Sequence, residues 1–239
     1  MNIRCVWEHN GGDTLLYAAD YPGAFARGAS LDAALEKLPE DVRAYLRWAE
    51  MPIPATFEAK IVQEKSSALT IRDADSDVIF DGERLPMSAR GYMALKALAL
   101  KSARDFQRLY DAVPDSERSA LPPRETFYGT LPRTAREMYA HTKNVNRYYF
   151  GEIGVDADND GDIEACRARG FAALELQAGY LNNAVQLGSY DEEWSLRKLL
   201  RRFIWHDRIH ARAMWRMARR TFGADAVPDI FKFENTVRI

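Results

Sequence analysis

The pattern of apolar and polar positions changes once along the chain, near residue 85. Before that point, Ile3, Cys5 and Trp7 alternate with polar neighbours, and a glycine turn separates them from a second short run, which predicts a β-hairpin. A helical period begins after Ser30, a candidate N-cap, and Pro39 predicts a kink or a division of this helix. Further short strands are expected at residues 56–63, 68–72 and 78–80.

The remainder of the chain has a helical period throughout. Its four amphipathic stretches are separated by proline and glycine, and lie at residues 88–113, 134–153, 163–187 and 194–222. Four such stretches joined by breaker residues predict a four-helix bundle. The predicted fold class is therefore α+β, with a small β-rich α+β domain at residues 1–85 and a helical bundle with a C-terminal tail at 86–239.

The composition is that of an ordinary globular protein. The chain has 239 residues, of which 47% are hydrophobic and 28% charged, so it can bury a core in one or two domains. It contains no uncharged apolar run of about 18 residues, and its N-terminus lacks the pattern of a secretory signal. We therefore expect a cytoplasmic location, no membrane partner, and buried thiols at Cys5 and Cys166.

The charge is unevenly distributed although the net charge is only -2. Residues 1–85 carry 15 acidic and 9 basic side chains, and residues 194–222 carry nine basic residues and one acid. A uniformly basic surface is missing, so nucleic acid is an improbable partner. We expect Arg202 and Arg208 to attract an anionic substrate or thiol cofactor. A solvated face, or docking against the acidic N-terminal segment, is the alternative.

The histidines supply the candidate chemistry. His206 and His210 are four residues apart, which places both imidazoles on one face of a helix, and His141 lies in a separate helical stretch. Leu199 and Phe203 extend the same stripe, so the pair faces the predicted core. Because buried imidazoles need polar partners or a metal, we predict a metal site at these three histidines, with a chance pairing as the alternative.

Two carboxylates accompany the histidines. Glu137 precedes His141 by one helical turn, and Asp207 adjoins His206. Either could orient an imidazole N–H or act as a base, or else be a solvated or salt-bridged helix carboxylate.

A separate acidic segment, residues 156–164, follows the pattern of a calcium-binding EF-hand loop. Its twelfth position is Arg167 in place of the usual glutamate, so the alternative is an inter-helix loop in which Asp162 caps the third helix.

Residues 87–222 resemble the DinB-like superfamily of four-helix bundles. The resemblance is carried by two runs, LPRTAREMYAH at residues 131–141 and WHDRIH at 205–210. It implies that His141, His206 and His210 are the ligands of a divalent ion. It also implies thiol-dependent transfer or isomerisation, or hydrolysis, of a small molecule, and a homodimer.

Residues 19–35 carry a second resemblance. Their run ADYPGAFARGASLDAAL is similar to the HicB-like antitoxin fold, a small β-β-β-α-β unit. The resemblance implies that this segment is an appended regulatory, ligand-binding or packing module.

Three imidazoles leave at least one coordination position open, where a water or a low-molecular-weight thiol would be acidified. Zinc is the first choice of ion and nickel the second, because imidazole suits both. The sequence thus predicts a metal-dependent thiol transferase or hydrolase. The competing hypothesis is a non-catalytic stress-response or regulatory module with a structural metal, in which the HicB-like segment binds a partner or ligand.

Overall fold

The computed structural model describes residues 1–126 and 129–234. It is a mixed α and β structure with five α-helices and small sheets among these residues, so the α+β class is confirmed. The chain forms two compact units. The first comprises Met1–Asp81 together with residues 231–234, and the second comprises Gly82–Ile230. The last described residues therefore belong with the first unit, whereas the sequence pattern places them in a C-terminal tail of the domain at residues 86–239.

The first unit contains four strands: β1 (Asn2–His9), β2 (Thr14–Ala18), β3 (Phe25–Gly28) and β4 (Glu58–Ser66). They form one sheet in the order β3-β2-β1-β4. β1 pairs antiparallel with β2, β2 antiparallel with β3, and β1 parallel with β4. A register shift between Cys5 and Val6 interrupts the β1–β4 ladder.

One helix, α1 (Leu31–Trp48), packs on this sheet. The Ser30 side chain accepts a hydrogen bond from the Ala33 N–H at 3.2 Å, as its N-cap position predicted. The helix continues through Pro39 as one element, because its apolar stripe stays buried on both sides of the proline. Near its end, Trp48 stacks on Phe231 with ring centroids 5.5 Å apart, which explains why the returning tail belongs to this unit.

Two of the expected strands are wrong. Residues 68–72 contain the start of a single 3-10 turn, Ile71–Asp73, and residues 78–80 form no strand. The Gln63 side chain explains the second case, since its amide donates to the Ile79 carbonyl at 2.9 Å and accepts from the Asp81 N–H at 2.8 Å. A side-chain bridge thus takes the place of a strand ladder.

Four long helices dominate the second unit: α2 (Ala89–Asp111), α3 (Ala135–Gly151), α4 (Ile163–Glu175) and α5 (Leu196–Phe222). Each begins with a side chain that accepts a backbone N–H, from Ser88, Thr134, Asp162 and Ser195 respectively. Helix α5 contacts both α2 and α3, and α4 contacts both as well. None of the described helices is long and apolar enough to cross a membrane.

The core of this unit is aromatic. Phe150 on α3 lies 5.2 Å from Phe171 on α4 and 5.3 Å from Phe203 on α5, measured between ring centroids. Gly170 permits this approach, because a Cβ there would lie 2.2 Å from the Phe150 ring. Cys166 is also buried here, as Cys5 is in the first unit.

Helix α4 is shorter than the predicted stretch, 163–187. It ends at Glu175, and the apolar residue that follows, Leu176, is 88% exposed, so no buried stripe continues the helix. Gly179 then has a φ of +73°, which redirects the chain. Two short ladders complete the unit: β5 (Glu125–Thr126) with β6 (Gly129–Thr130), and β7 (Gln186–Leu187) with β8 (Glu193–Trp194).

The first unit buries a carboxyl group, that of Glu8 in β1, with none of the residue exposed. The Ser76 hydroxyl donates to it at 2.5 Å and the Tyr17 hydroxyl at 3.3 Å. Burial nevertheless raises the pKa of Glu8 above its usual 4.5. The folded protein therefore holds this proton more tightly than the unfolded chain does.

We expect the stability of the first unit to fall as pH rises from about 4.5 through the raised pKa of Glu8, at up to about 1.4 kcal/mol per pH unit. Glu8→Gln should remove this slope and leave the unit at least as stable at neutral pH. The slope is measured by unfolding the protein in urea at several pH values in this range. Hydrogen-exchange mass spectrometry of the β1 and β2 peptides gives the urea midpoint of the first unit at each pH. Glu58→Gln, at an exposed position of β4, is the control and should keep the slope.

Candidate metal centre

Three histidine rings converge between α3 and α5. The ring centroid of His141 lies 5.1 Å from that of His206 and 4.6 Å from that of His210, and the latter two are 4.4 Å apart. One ligating nitrogen from each ring lies within 4.8 Å of the other two. Among the residues described, this is the group in which three or more potential metal ligands come together. The structure therefore brings together all three histidines that the sequence singled out.

Local structure explains why these side chains meet. The spacing of His206 and His210 places both on one face of α5. Helix α3 begins at a capping box: the Thr134 hydroxyl accepts the Glu137 N–H, while the Glu137 carboxylate accepts the Thr134 N–H. The capping box fixes where α3 begins, and α3 packs against α5. His141 therefore faces His206 and His210.

Two of the three imidazoles, those of His141 and His206, are favoured in the neutral form. His206 is 8% exposed, and burial, followed by the charges of neighbouring groups, holds its pKa well below the usual range. Burial also lowers the pKa of His141. A neutral imidazole has a free lone pair, which is the form that binds metal ions.

The histidine group fits a divalent ion. The Nδ1 atom of His206 is buried and has no hydrogen-bond partner in the part of the chain that the structure describes. Two nitrogens on one tetrahedral zinc ion are about 3.4 Å apart, for Zn–N bonds of about 2.0–2.1 Å. The observed nitrogens lie within 4.8 Å of one another, so they would have to move somewhat closer together to bind one ion. The group can therefore hold an ion, whose identity the three nitrogens leave open.

Glu137 has a structural role in this molecule. Its Oε2 atom accepts the backbone N–H of Arg133 at 2.7 Å and that of Thr134 at 3.1 Å. These two hydrogen bonds lower the pKa of Glu137 and keep it ionised. The sequence predicts a histidine partner or a base at this position, whereas the contacts that Glu137 makes are those of a helix cap.

Asp207 forms an ion pair with a residue that sequence reasoning missed, Arg167 on α4. Both side chains are fully buried, with Nη1 to Oδ2 at 2.5 Å and Nη2 to Oδ1 at 3.0 Å. Burial raises the pKa of Asp207, and the guanidinium opposes this shift. Both oxygens are thus engaged away from the histidines, which differs from the predicted imidazole partner or base. The contacts of Asp207 are those of the alternative, a salt-bridged helix carboxylate.

A signal for Arg167 was present in the sequence. It falls within the apolar stripe of α4, which buries Ile163, Cys166, Gly170, Phe171 and Leu174. An arginine on such a stripe requires a buried partner of opposite charge. Its Nη1 also donates to the Ala99 carbonyl of α2 at 3.1 Å, so Arg167 connects three helices.

The two predicted anion-binding arginines lie in different environments. Arg202 is half-buried, and its guanidinium lies 5.1 Å from the ring of Trp205 and 5.6 Å from the ring of Tyr149. The Tyr149 ring in turn contacts His206 edge-on at 6.0 Å. Arg208 is buried, with 2% of the residue exposed. Of the two arginines, Arg202 is therefore the one that is linked to the histidine group, through the Tyr149 ring.

Two aspartates of the acidic loop at residues 156–164 make structural contacts. Asp158 pairs with Arg169, which lowers the pKa of Asp158 to about 2. Asp162 caps α4 by accepting the Ala165 N–H at 2.7 Å. These contacts are those of the alternative to a calcium site, an inter-helix loop in which Asp162 caps the helix.

Comparisons of the chain with models of protein families, with curated proteins and with solved structures found no match.

The buried ion pair yields a prediction about the second unit. Asp207→Ala should lower the free energy of unfolding by about 3–5 kcal/mol, because it leaves the Arg167 charge buried without its carboxylate. The double variant Arg167→Met with Asp207→Leu should be far closer to the parent, since both charges are removed together. Urea unfolding followed by helical circular dichroism measures these differences.

A matched control exists between α2 and α4. Arg104 and Glu164 form a pair whose side chains are 56% and 35% exposed. Glu164→Ala should cost about 0–1 kcal/mol. Equal losses of unfolding free energy for Asp207→Ala and Glu164→Ala would show that the buried pair contributes no more to stability than the exposed one.

Proposed function

We propose that this protein is a metal-dependent enzyme of the DinB-like type. In this proposal, His141, His206 and His210 hold a divalent ion that activates a low-molecular-weight thiol or a water for transfer to, or hydrolysis of, a small molecule. The observation that carries it is the convergence of three imidazole nitrogens within 4.8 Å, two of whose rings are kept neutral by burial. Zinc is the proposed ion and nickel the second choice.

The arrangement of elements supports the proposal. His141 lies in the second of four long helices of its unit and the His206–His210 pair in the fourth, the order that the resemblance implies. The first unit runs β1-β2-β3-α1-β4, in keeping with a HicB-like segment. We propose that this segment is a regulatory, ligand-binding or packing module.

The chemistry follows from the ligand set. A bound ion would act as a Lewis acid, and with three protein ligands it keeps a position for an exogenous molecule. The chain's own residues orient this centre: the Glu137 cap fixes the start of α3, and the Arg167–Asp207 pair fixes α5 against α2 and α4. Tyr149 packs edge-on against His206 and shields that side of the ring from water.

We expect the purified protein to carry about one divalent ion per chain, because its three ligands form one group. His206→Ala should reduce the bound ion to a small fraction, as measured by elemental analysis after preparation without chelators. His9→Ala is the control, since His9 belongs to the first unit, where it stacks on Trp7. Metal content that is nil in the parent, or unchanged in His206→Ala, would contradict the metal site.

Activity is a separate test. The ion-loaded protein should catalyse transfer from a panel of cellular thiols, or hydrolysis of small esters and amides, and should lose this activity on removal of the ion. A protein that binds one ion but turns over none of these substrates would favour the non-catalytic module.

A further inference from the structure

The buried carboxyl of Glu8 in β1 is covered by residues 72–77, a segment that we call the strap. The Ser76 Oγ atom lies 2.5 Å from Glu8 Oε2, and the backbone N–H of Asp77 donates to Glu8 Oε1 at 3.3 Å. The Tyr17 hydroxyl, from β2, donates to Ser76 Oγ at 2.8 Å. Two groups of the strap therefore contact a carboxyl that has no exposed surface.

The strap can open without disturbing the core. Its ends are anchored by Ile71 and Val78, both of which are buried. Between them the sequence is Arg-Asp-Ala-Asp-Ser-Asp, which has no large apolar side chain, and every residue except Ser76 is exposed or half-buried. Ala74 has a φ of +64°, which is unfavourable for a residue with a Cβ atom. Local opening therefore exposes little apolar surface and relieves this strain.

The charges near Glu8 oppose its ionisation while the strap is closed. Three of the six strap residues are aspartates. From the sheet, Glu8 is faced by Tyr17 of β2 and by Lys65 of β4, its partner in the parallel ladder. The Lys65 ammonium lies 2.5 Å from the Asp77 carboxylate, so its charge compensates the strap as well as Glu8. An ionised Glu8 thus adds a negative charge beneath an acidic strap.

The contacts of Glu8 suit a protonated carboxyl. Its O–H can donate to Ser76 Oγ across the 2.5 Å contact, while its other oxygen still accepts the Asp77 N–H. The ionised form would lose its hydration without gaining a dedicated cation. Burial, and then the charge of Asp77, accordingly raise the pKa of Glu8.

We propose that the strap is a pH-dependent latch, which is closed over protonated Glu8 and opens locally when Glu8 ionises, so that water reaches the carboxylate. This inference concerns the first unit and does not depend on the proposed metal centre. Opening would move Arg72, whose carbonyl accepts the Arg27 guanidinium at 3.3 Å. Both arginines line an open cavity of about 150 Å³, so the latch would change the shape of this cavity with pH.

Hydrogen exchange of the native protein, read by mass spectrometry on a peptide that spans the strap, tests the latch. Dividing its exchange rate by that of Glu8→Gln at the same pH cancels the intrinsic pH dependence of exchange. We expect this ratio to rise from pH 4.5 by up to about tenfold per pH unit until Glu8 is ionised in the closed state, because each opening releases one proton.

Local opening is distinguished from unfolding in the same experiment. Peptides of β2 and α1 should exchange far more slowly than the strap at every pH. Dilute urea should accelerate their exchange and leave that of the strap nearly unchanged, because the sensitivity to urea scales with the surface that is exposed.

Two variants complete the test. Glu64→Gln is the matched control, because it removes a carboxyl that is 58% exposed from the neighbouring strand β4, and it should keep the pH dependence of the parent. Asp77→Asn keeps the N–H that contacts Glu8 but removes the like charge, so the rise should level off at a lower pH than in the parent. Comparison of this variant with the parent tests the latch even if Glu8→Gln fails to fold.

The latch would be overturned by a ratio of exchange rates that stays constant across this pH range. Exchange of the strap at the rate of β2, with the same response to urea, would also overturn it, since the opening would then be unfolding of the whole unit. An unchanged pH dependence in Asp77→Asn would show that the charge of the strap does not act on Glu8.

Discussion

The arrangement of the second unit depends on one buried ion pair, Arg167 with Asp207. Both side chains are fully buried, and Arg167 also binds the Ala99 carbonyl, so α2, α4 and α5 are joined at one level. Burying two charges gains little stability in itself, but it penalises every arrangement that separates them. The pair therefore acts chiefly on specificity, by fixing the rotation of α5 about its own axis.

That rotation determines where the histidines point. Asp207 directly follows His206, and successive residues on a helix are about 100° apart. Once Asp207 faces α4, His206 is turned towards α3, where it meets His141 and the edge of Tyr149. His210 follows on the same face one turn later. The ion pair and the histidine group thus use adjacent positions of one helix, and the first sets the geometry of the second.

The features predictable from sequence were those set by local physics. The hydrophobic period and the proline and glycine breaks predicted all four helices of the second unit, three of them to within a few residues. The His206–His210 spacing needs only helix geometry. The partner of Asp207 lies 40 residues away, and no local rule connects it to Arg167. The end of α4 was missed because Leu176 extends the apolar pattern in sequence but stays 88% exposed. Residues 78–80 were misassigned because a Gln63 side chain replaced the ladder.

The histidine group works against the stability of the fold in the absence of a ligand. His206 is surrounded by apolar and cationic groups, and its buried Nδ1 has no partner among the residues described, which costs on the order of 1–3 kcal/mol. A leucine at this position would pack against Tyr149 without that cost. An ion bound only by the folded state reverses the balance, since its stabilising contribution grows with the logarithm of its concentration over its dissociation constant. A buried polar atom without a partner, at a position where an apolar side chain would be more stable, is thus itself a reason to assign function to His206.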